Sequence, residues 1–338
     1  MEIIYFIPKN SISIRRSFTP LINEISKLED VSVFELPYSG SNPINLLKNI
    51  LFIKKHSSKH GINHLIGDAH YGIIGLIGRI SVLTIHDDYA IIKARRGWID
   101  KIYKYIFWLW IPIRVADKIL CITETTKLKI EKYVKSNKMI TLTNHCCGDM
   151  FLYQPKVLNK DCIHFLQIGT LPQKNLETTL KVLSKYTLPY RLCVIKPMTT
   201  KQYQLASALG VNYINKFGLT DQQIVEEYTK ADIILFPSIY EGLGMPILEG
   251  QAVGRVVITT NKEPMKTISG GKEAAILLDN PLDTSEYMDK LVDIVDNEEK
   301  RELLIQNGRI NAAKYCVTNI VESFIELYKE LFNEDNRN

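Results

Sequence analysis

Short apolar runs alternate with helical periods along this chain, and they do so in two series. Ile3–Ile7, Val31–Leu36, His64–Ile66, Val82–Ile85, Ile119–Ile122 and Ile140–Leu142 read as strands in the first half. Cys162–Ile168, Arg191–Ile195, Val211–Ile214, Ile233–Phe236, Val256–Ile258 and Ala275–Leu278 read as strands in the second. Helical patterns fall between them, including Pro20–Leu28, Leu176–Lys185, Asp221–Lys230 and Pro246–Ala252. Strands separated by helices pair in parallel, because each crossover returns the chain to the same end of the sheet. Two series imply two doubly wound α/β domains, with ligands bound at the carboxyl ends of the strands. The aperiodic stretch Phe151–Asp161 divides them, so domains are predicted at 1–155 and 156–310. Residues 311–338 form a tail containing a long amphipathic helix over Asn311–Phe332.

The chain has 338 residues, 46% hydrophobic and 23% charged, which suits a soluble globular protein and excludes a disordered one. The apolar run Tyr105–Ile113 is far short of the ~20 residues that span a bilayer. Glu2 stands where a signal peptide carries basic residues, so the expected location is cytoplasmic. Cys121, Cys146, Cys147, Cys162, Cys193 and Cys316 form no C-x-x-C pair and read as reduced thiols.

Charge is uneven. Residues 1–155 hold 21 Lys and Arg against 13 Asp and Glu, and residues 156–338 hold 21 against 24. Within Lys93–Arg114 basic residues interleave with Trp98, Tyr103, Tyr105, Phe107, Trp108 and Trp110. That stretch is either a core helix with a solvated basic edge or a face for anionic lipid. Nucleic acid is not expected as a partner.

The densest chemistry lies in Ala231–Thr260. The strand Ile233–Phe236 ends at Pro237-Ser238, and Glu241-Gly242-Leu243-Gly244-Met245 forms a loop. Pro246 suits the first turn of the helix that follows. The glycines permit close backbone approach, and a helix N-terminus at a strand's carboxyl end offers free N–H groups to a diphosphate. Glu241 stands in the loop, and Glu249 lies about one helical turn inside. An anion site flanked by two carboxylates suits a ligand anionic at one end and rich in hydroxyls at the other, such as a nucleotide-sugar. A plain strand–loop–helix crossover with incidental acids fits the same residues.

Pro237-Ser238-Ile239-Tyr240-Glu241-Gly242-Leu243-Gly244-Met245-Pro246-Ile247-Leu248-Glu249, followed by Ala252-Val253-Gly254-Arg255-Val256-Val257-Ile258, resembles the signature of retaining GT-B glycosyltransferases of family 4. The resemblance extends over most of the chain, more weakly at the N-terminus. It implies two Rossmann-like domains facing a cleft, an N-terminal acceptor domain, a C-terminal nucleotide-sugar domain, and a last helix crossing back to the first domain. By position, Glu241 contacts the transferred sugar. The backbone at Gly242, Leu243, Gly244 and Met245 holds sugar and diphosphate, and Glu249 binds the ribose.

A second loop, Gln167-Ile168-Gly169-Thr170-Leu171-Pro172-Gln173-Lys174-Asn175, matches the same family. The resemblance puts Gly169, Thr170, Lys174 and Asn175 at the donor, with Lys174 on the diphosphate and Asn175 as helix N-cap. Thr170 stands where relatives carry an Arg, and Arg15 or Arg16 is the candidate replacement. In Ile85-His86-Asp87-Asp88, His86 resembles a residue that meets the donor sugar or acceptor hydroxyl, and Asp87 holds the loop. His70 resembles a related strand-end position. Met265-Lys266-Thr267 departs from the relatives' pattern, and Lys216-Phe217-Gly218-Leu219 matches their base-binding edge loosely.

The chemistry implied is transfer of a hexose from a UDP- or GDP-sugar to an acceptor hydroxyl, retaining anomeric configuration. Glu241, His86 and Lys174 are the candidate catalytic residues. No D-x-D triplet for a divalent metal occurs, and neither metal nor further cofactor is expected. Relatives build lipopolysaccharide and capsule on polyprenyl-diphosphate carriers at the inner membrane face, which the stretch Lys93–Arg114 would suit. Two alternatives remain at this stage: a nucleotide-sugar epimerase of the same fold, and a non-catalytic nucleotide-sugar or glycan-binding protein.

Overall fold

A computed structural model describes residues 1–9, 12–86, 97–143 and 150–335, with the side chains of residues 12–17 and 335 outside that description. The chain forms two units, one of Met1–Cys146 with Val317–Asn338 and one of Cys147–Cys316.

The first unit holds a parallel six-stranded sheet. Its strands are β1 (Glu2–Ile7), β2 (Asp30–Glu35), β3 (Ile62–Leu65), β4 (Ser81–Ile85), β5 (Lys118–Cys121) and β6 (Met139–Thr141), in the order β2-β1-β3-β4-β5-β6. The second sheet contains β7 (Ile163–Ile168), β8 (Tyr190–Ile195), β9 (Tyr213–Lys216), β10 (Ile233–Phe236), β11 (Val256–Thr260) and β12 (Ile276–Leu278). Its order is β12-β11-β10-β7-β8-β9, also parallel. Helices cover both faces, so central strands such as β4 and β10 are buried at every residue and carry no polar alternation. In the second sheet the winding reverses between β7 and β10, and a doubly wound fold opens its ligand crevice at that switch point.

Two helices depart from expectation. The first spans Ile12–Ile25 and carries Pro20 inside it rather than at its start. Phe18, Leu21, Ile22 and Ile25 form one buried stripe, and burying each stabilises by roughly 1.5–3 kcal/mol, enough to offset an internal proline at about 3 kcal/mol.

The long helix expected over Asn311–Phe332 is two helices, Glu298–Ala313 and Val317–Asp335. Each end of that apolar period belongs to a different core. Asn311 is buried and donates to the Gln251 side chain and the Ile268 carbonyl in the second unit. Val317, Ile320, Val321, Phe324 and Tyr328 pack into the first unit's core. The chain therefore turns between the two helices. The first boundary also moves: Phe151 is already in the second unit's core, and the Gln154 N–H donates to the Val253 carbonyl. The sequence had placed these divisions after 155 and 310.

Within the first unit, the helix Val317–Asp335 is held by a buried polar chain. The Tyr328 hydroxyl bonds the Tyr5 hydroxyl at 2.9 Å and His64 Nδ1 at 2.6 Å, while His64 Nε2 bonds the Thr84 hydroxyl at 2.7 Å. These groups come from β1, β3, β4 and the chain's last helix. Burial pushes the His64 imidazole down to about 3, so it is neutral near pH 7. Burial pushes the Cys121 and Cys193 thiols up to about 12, and neither is in a disulfide.

Candidate active site

The loops after β7 and β10 meet at the switch point of the second sheet. Lys174 Nζ donates to Glu241 Oε1 at 2.5 Å, and the two side chains are 18% and 13% exposed. The ammonium lies 4.7 Å from the centre of the Phe236 ring, at the end of β10. Two residues distant in sequence thus form one partly buried ion pair.

The backbone explains why the pair can form. Gly169 has φ +96°, and a Cβ there would come within 2.8 Å of Lys174 Cγ. The glycine lets the lysine stem lie across the strand end. Gln167 donates to the Lys174 carbonyl at 3.0 Å, and the Ile239 N–H donates to the Gln173 carbonyl at 2.8 Å, binding one loop to the other. Across the pair, Gly244 has φ +107° and stands at the N-cap of the helix Met245–Val253. Leu243 turns into the core with Phe236 and Ile247, while Gly242 is exposed with nothing near its missing Cβ. Met245 opens the helix half-buried. The first-turn N–H groups and the positive helix end therefore lie at the carboxyl end of β10, beside Glu241.

Two of the donor-side residues chosen from sequence make structural hydrogen bonds. Asn175 caps no N–H, since its backbone is left-handed (φ 58°, ψ 38°). Its amide donates to the carbonyls of Pro237 and Pro281, at 3.2 and 2.8 Å, and its Oδ1 accepts from Thr178. Bonding two loops outweighed the local cap. Thr170 is buried, its hydroxyl donating to the Pro197 carbonyl at 2.5 Å and its own carbonyl accepting from Gln202. Thr170 therefore supplies no cation, and the Arg15 and Arg16 side chains lie outside the described residues.

Glu249 is half-buried on the helix Met245–Val253 and accepts a hydrogen bond from the Tyr228 hydroxyl. Sequence reasoning missed Tyr228, because a tyrosine on an amphipathic helix reads as core. Only the packing of Asp221–Lys230 against Met245–Val253 reveals the contact. Lys216, at the loosely matched base edge, pairs with Glu227 at 2.9 Å.

In the first unit, His86 follows β4 and is half-buried. Its carbonyl accepts from the Thr126 hydroxyl at 3.2 Å, and its ring centre lies 6.0 Å from that of Phe18. Asp87 lies outside the described residues. His70 is buried, with Nδ1 at 2.7 Å from the Trp108 carbonyl, which suits a structural role. Of the tryptophans in the basic aromatic stretch, Trp108 is core and donates its indole N–H to the Asp68 carbonyl, whereas Trp98 is 72% exposed. Lys93, Arg95 and Arg96 lie outside the described residues. No helix among the described residues is long and apolar enough to cross a membrane.

Residues 153–311 match the family described as glycosyl transferases group 1. That match spans most of the second unit, and the chain is a glycosyltransferase with the GT-B fold. It is 23% identical over 345 residues to an uncharacterized glycosyltransferase of Methanocaldococcus jannaschii, covering 91% of this chain and 93% of that one. It is 25% identical over 213 residues to the O-antigen chain mannosyltransferase RfbU of Salmonella typhimurium, covering 60% of this chain and 58% of that one. The structure of Anabaena HepE in complex with UDP and glucose shares the fold, with a TM-score of 0.75 at 13% identity over 98% of this chain and 100% of that one.

Proposed function

We propose that this glycosyltransferase moves a hexose from a UDP- or GDP-sugar to an acceptor hydroxyl, with retention and without a metal, in cell-surface polysaccharide assembly. The observation that carries the reading is the Lys174–Glu241 ion pair at the second sheet's switch point, beside a helix N-terminus. An arriving diphosphate is a stronger partner for an ammonium than one carboxylate is. Lys174 then turns to the phosphates, and Glu241 is released toward the sugar. Lys174 and the first-turn N–H groups stabilise the leaving diphosphate as preorganised electrostatics. The acceptor oxygen bonds to the anomeric carbon as the bond from that carbon to the phosphate oxygen breaks. A departing phosphate oxygen takes the acceptor proton. Glu249 holds the ribose, and His86 is read as a contact to sugar or acceptor hydroxyl. The O-antigen relative supports a glycan acceptor, and HepE supports a nucleoside diphosphate as the donor's leaving group.

The acceptor class proposed is a polyprenyl-diphosphate-linked glycan at the anionic inner face of the cytoplasmic membrane. Two helices of the first unit support it. Gly97–Lys104 exposes Trp98, Ile99 and Ile102 beside Lys101, and Pro43–His56 exposes Ile44, Leu47 and Leu51 beside Lys54 and Lys55. The Tyr103 hydroxyl joins them by donating to the Ser41 carbonyl at 3.1 Å. Apolar side chains ringed by lysines suit an anionic interface.

One assay tests these parts. The protein is incubated with UDP- and GDP-hexoses and lipid-linked glycan in anionic or zwitterionic vesicles, with EDTA present. Transfer with retained configuration, faster on anionic vesicles at low salt, is expected. Epimerised donor, or binding without turnover, would refute the transferase chemistry proposed here. Loss of activity in EDTA with recovery on adding magnesium would remove the metal-free part, and equal rates on both vesicles the membrane part.

A further inference from the structure

The helix Asp221–Lys230 is set by a capping box: the Thr220 hydroxyl accepts from the Gln223 N–H, and the Gln223 side chain accepts from the Thr220 N–H. That cap fixes where Tyr228 enters the second unit's core. Tyr228 is wholly buried, its ring edge-on to Phe151 with centres 5.4 Å apart, in a cluster with Ile234, Ile247 and Leu248. Packing leaves the ring no freedom, so its hydroxyl is a fixed point. That hydroxyl donates to Glu249 Oε2. Glutamate has three rotatable side-chain bonds, and ordering it on ligand binding costs affinity. A rigid phenol donor orders the carboxylate beforehand and does so through a charge-assisted bond.

We infer that Tyr228 is a positioning residue for nucleotide recognition: it presets the Glu249 carboxylate for the ribose hydroxyls of the donor. The inference deepens the function proposed above and rests on Glu249 as the ribose ligand. It has a selective signature. A contact to ribose distinguishes a ribonucleotide from its deoxy counterpart, whereas a packing role affects both alike.

The test measures calorimetric affinity for UDP and GDP, each beside its 2′-deoxy and 3′-deoxy forms, in wild type, Tyr228→Phe and Glu249→Ala. Wild type should prefer the ribonucleotide, and Tyr228→Phe should shrink that preference roughly 5- to 10-fold, the scale of one typical net hydrogen bond, with deoxynucleotide affinity unchanged. Glu249→Ala should abolish it. If Glu249→Ala keeps the wild-type preference, or if neither nucleotide binds wild type, the ribose assignment fails and the inference with it. If Glu249→Ala loses the preference and Tyr228→Phe retains it in full, only the role of Tyr228 is overturned. Equal weakening of both nucleotides with a lowered Tm assigns Tyr228 to packing and also overturns it. Should Tyr228→Phe not fold, 3-fluorotyrosine at 228 keeps the hydroxyl and reports by fluorine NMR. Its resonance should move with the ribonucleotide and not with the deoxynucleotide, and an equal response to both would refute the inference.

Discussion

Each unit holds a cluster of buried polar groups, and the two clusters serve different ends. In the second, Asn175, Gln167 and Thr170 bond loop carbonyls, and all of that bonding shapes the ends of β7 and β10 around the Lys174–Glu241 pair. In the first, Tyr5, His64, Thr84 and Tyr328 bond one another and hold a helix from the end of the chain against the sheet. In similar doubly wound sheets, these two clusters thus shape a candidate site in one case and close the chain in the other. The difference teaches that a substitution of equal size should be felt as lost turnover in the second unit and as lost stability in the first.

The largest effect expected is at Glu241. Replacing Glu241 with Gln keeps the shape and removes the charge that is proposed to face the growing positive charge at the anomeric carbon. That contact strengthens only in the transition state, so turnover should suffer more than binding. Single-turnover transfer should fall on the order of 100- to 1000-fold, the scale of one transition-state electrostatic contact, with nucleotide affinity and Tm near wild type. A variant with wild-type transfer would place the reacting centre elsewhere. One that loses Tm and keeps its rate would make Glu241 a structural loop residue, and the contrast between the units would break.

The contrast also marks what a sequence can carry. All twelve strands of the described residues were legible, most plainly the central ones, because a parallel strand covered on both faces writes itself as an apolar run. Lys174 and Glu241 were legible through the motifs around them, although their ion pair depends on the topology that makes β7 and β10 neighbours. Asn175 misled because local capping preference competed with two carbonyls from distant loops, and the distant loops won. Tyr328 and His64 gave no signal at all: they are 264 positions apart, and each alone is an ordinary core residue. The helix over Asn311–Phe332 failed for a similar reason, since periodicity cannot tell which core an apolar residue will join.

The second-largest effect sharpens the other side of the comparison. Tyr328→Phe removes one oxygen and strands both the Tyr5 hydroxyl and His64 Nδ1 in the interior. An unpaired buried polar group costs ~1–3 kcal/mol, and some relaxation is expected, so the loss should be about 2–3 kcal/mol. Urea unfolding measures the total. Hydrogen exchange should locate the loss in β1, β3 and the helix Val317–Asp335, while β7 and β10 keep their protection and nucleotide affinity is unchanged. Loss of protection spread evenly over both units would show that they unfold as one and would erase the distinction.

The smallest effect separates the units by pH alone. In the folded chain, burial holds His64 neutral down to about 3, against an ordinary value of 6.5 in the unfolded chain. Between those values the unfolded state binds a proton that the folded state refuses. Stability from this group is therefore full above pH 6.5 and declines as pH falls, by ~1.4 kcal/mol per unit, or about 2 kcal/mol by pH 5. In the second unit, burial pushes the Glu227 carboxyl up, but bonds from Lys216, Cys193 and Lys230 outweigh it and the net shift is downward. Its contribution is intact above the ordinary carboxylate value and is lost only as pH falls through the lowered folded one. Mild acid should thus loosen β3, β4 and the last helix before it touches β8 and β9. Hydrogen exchange at pH 7 and pH 5, corrected for intrinsic rates, reads this directly, and NMR titration of the His64 imidazole supplies the cause. An imidazole that titrates near 6.5 in the folded protein would mean that water reaches His64, and the buried chain from Tyr5 to Thr84 would no longer explain how the first unit holds its final helix.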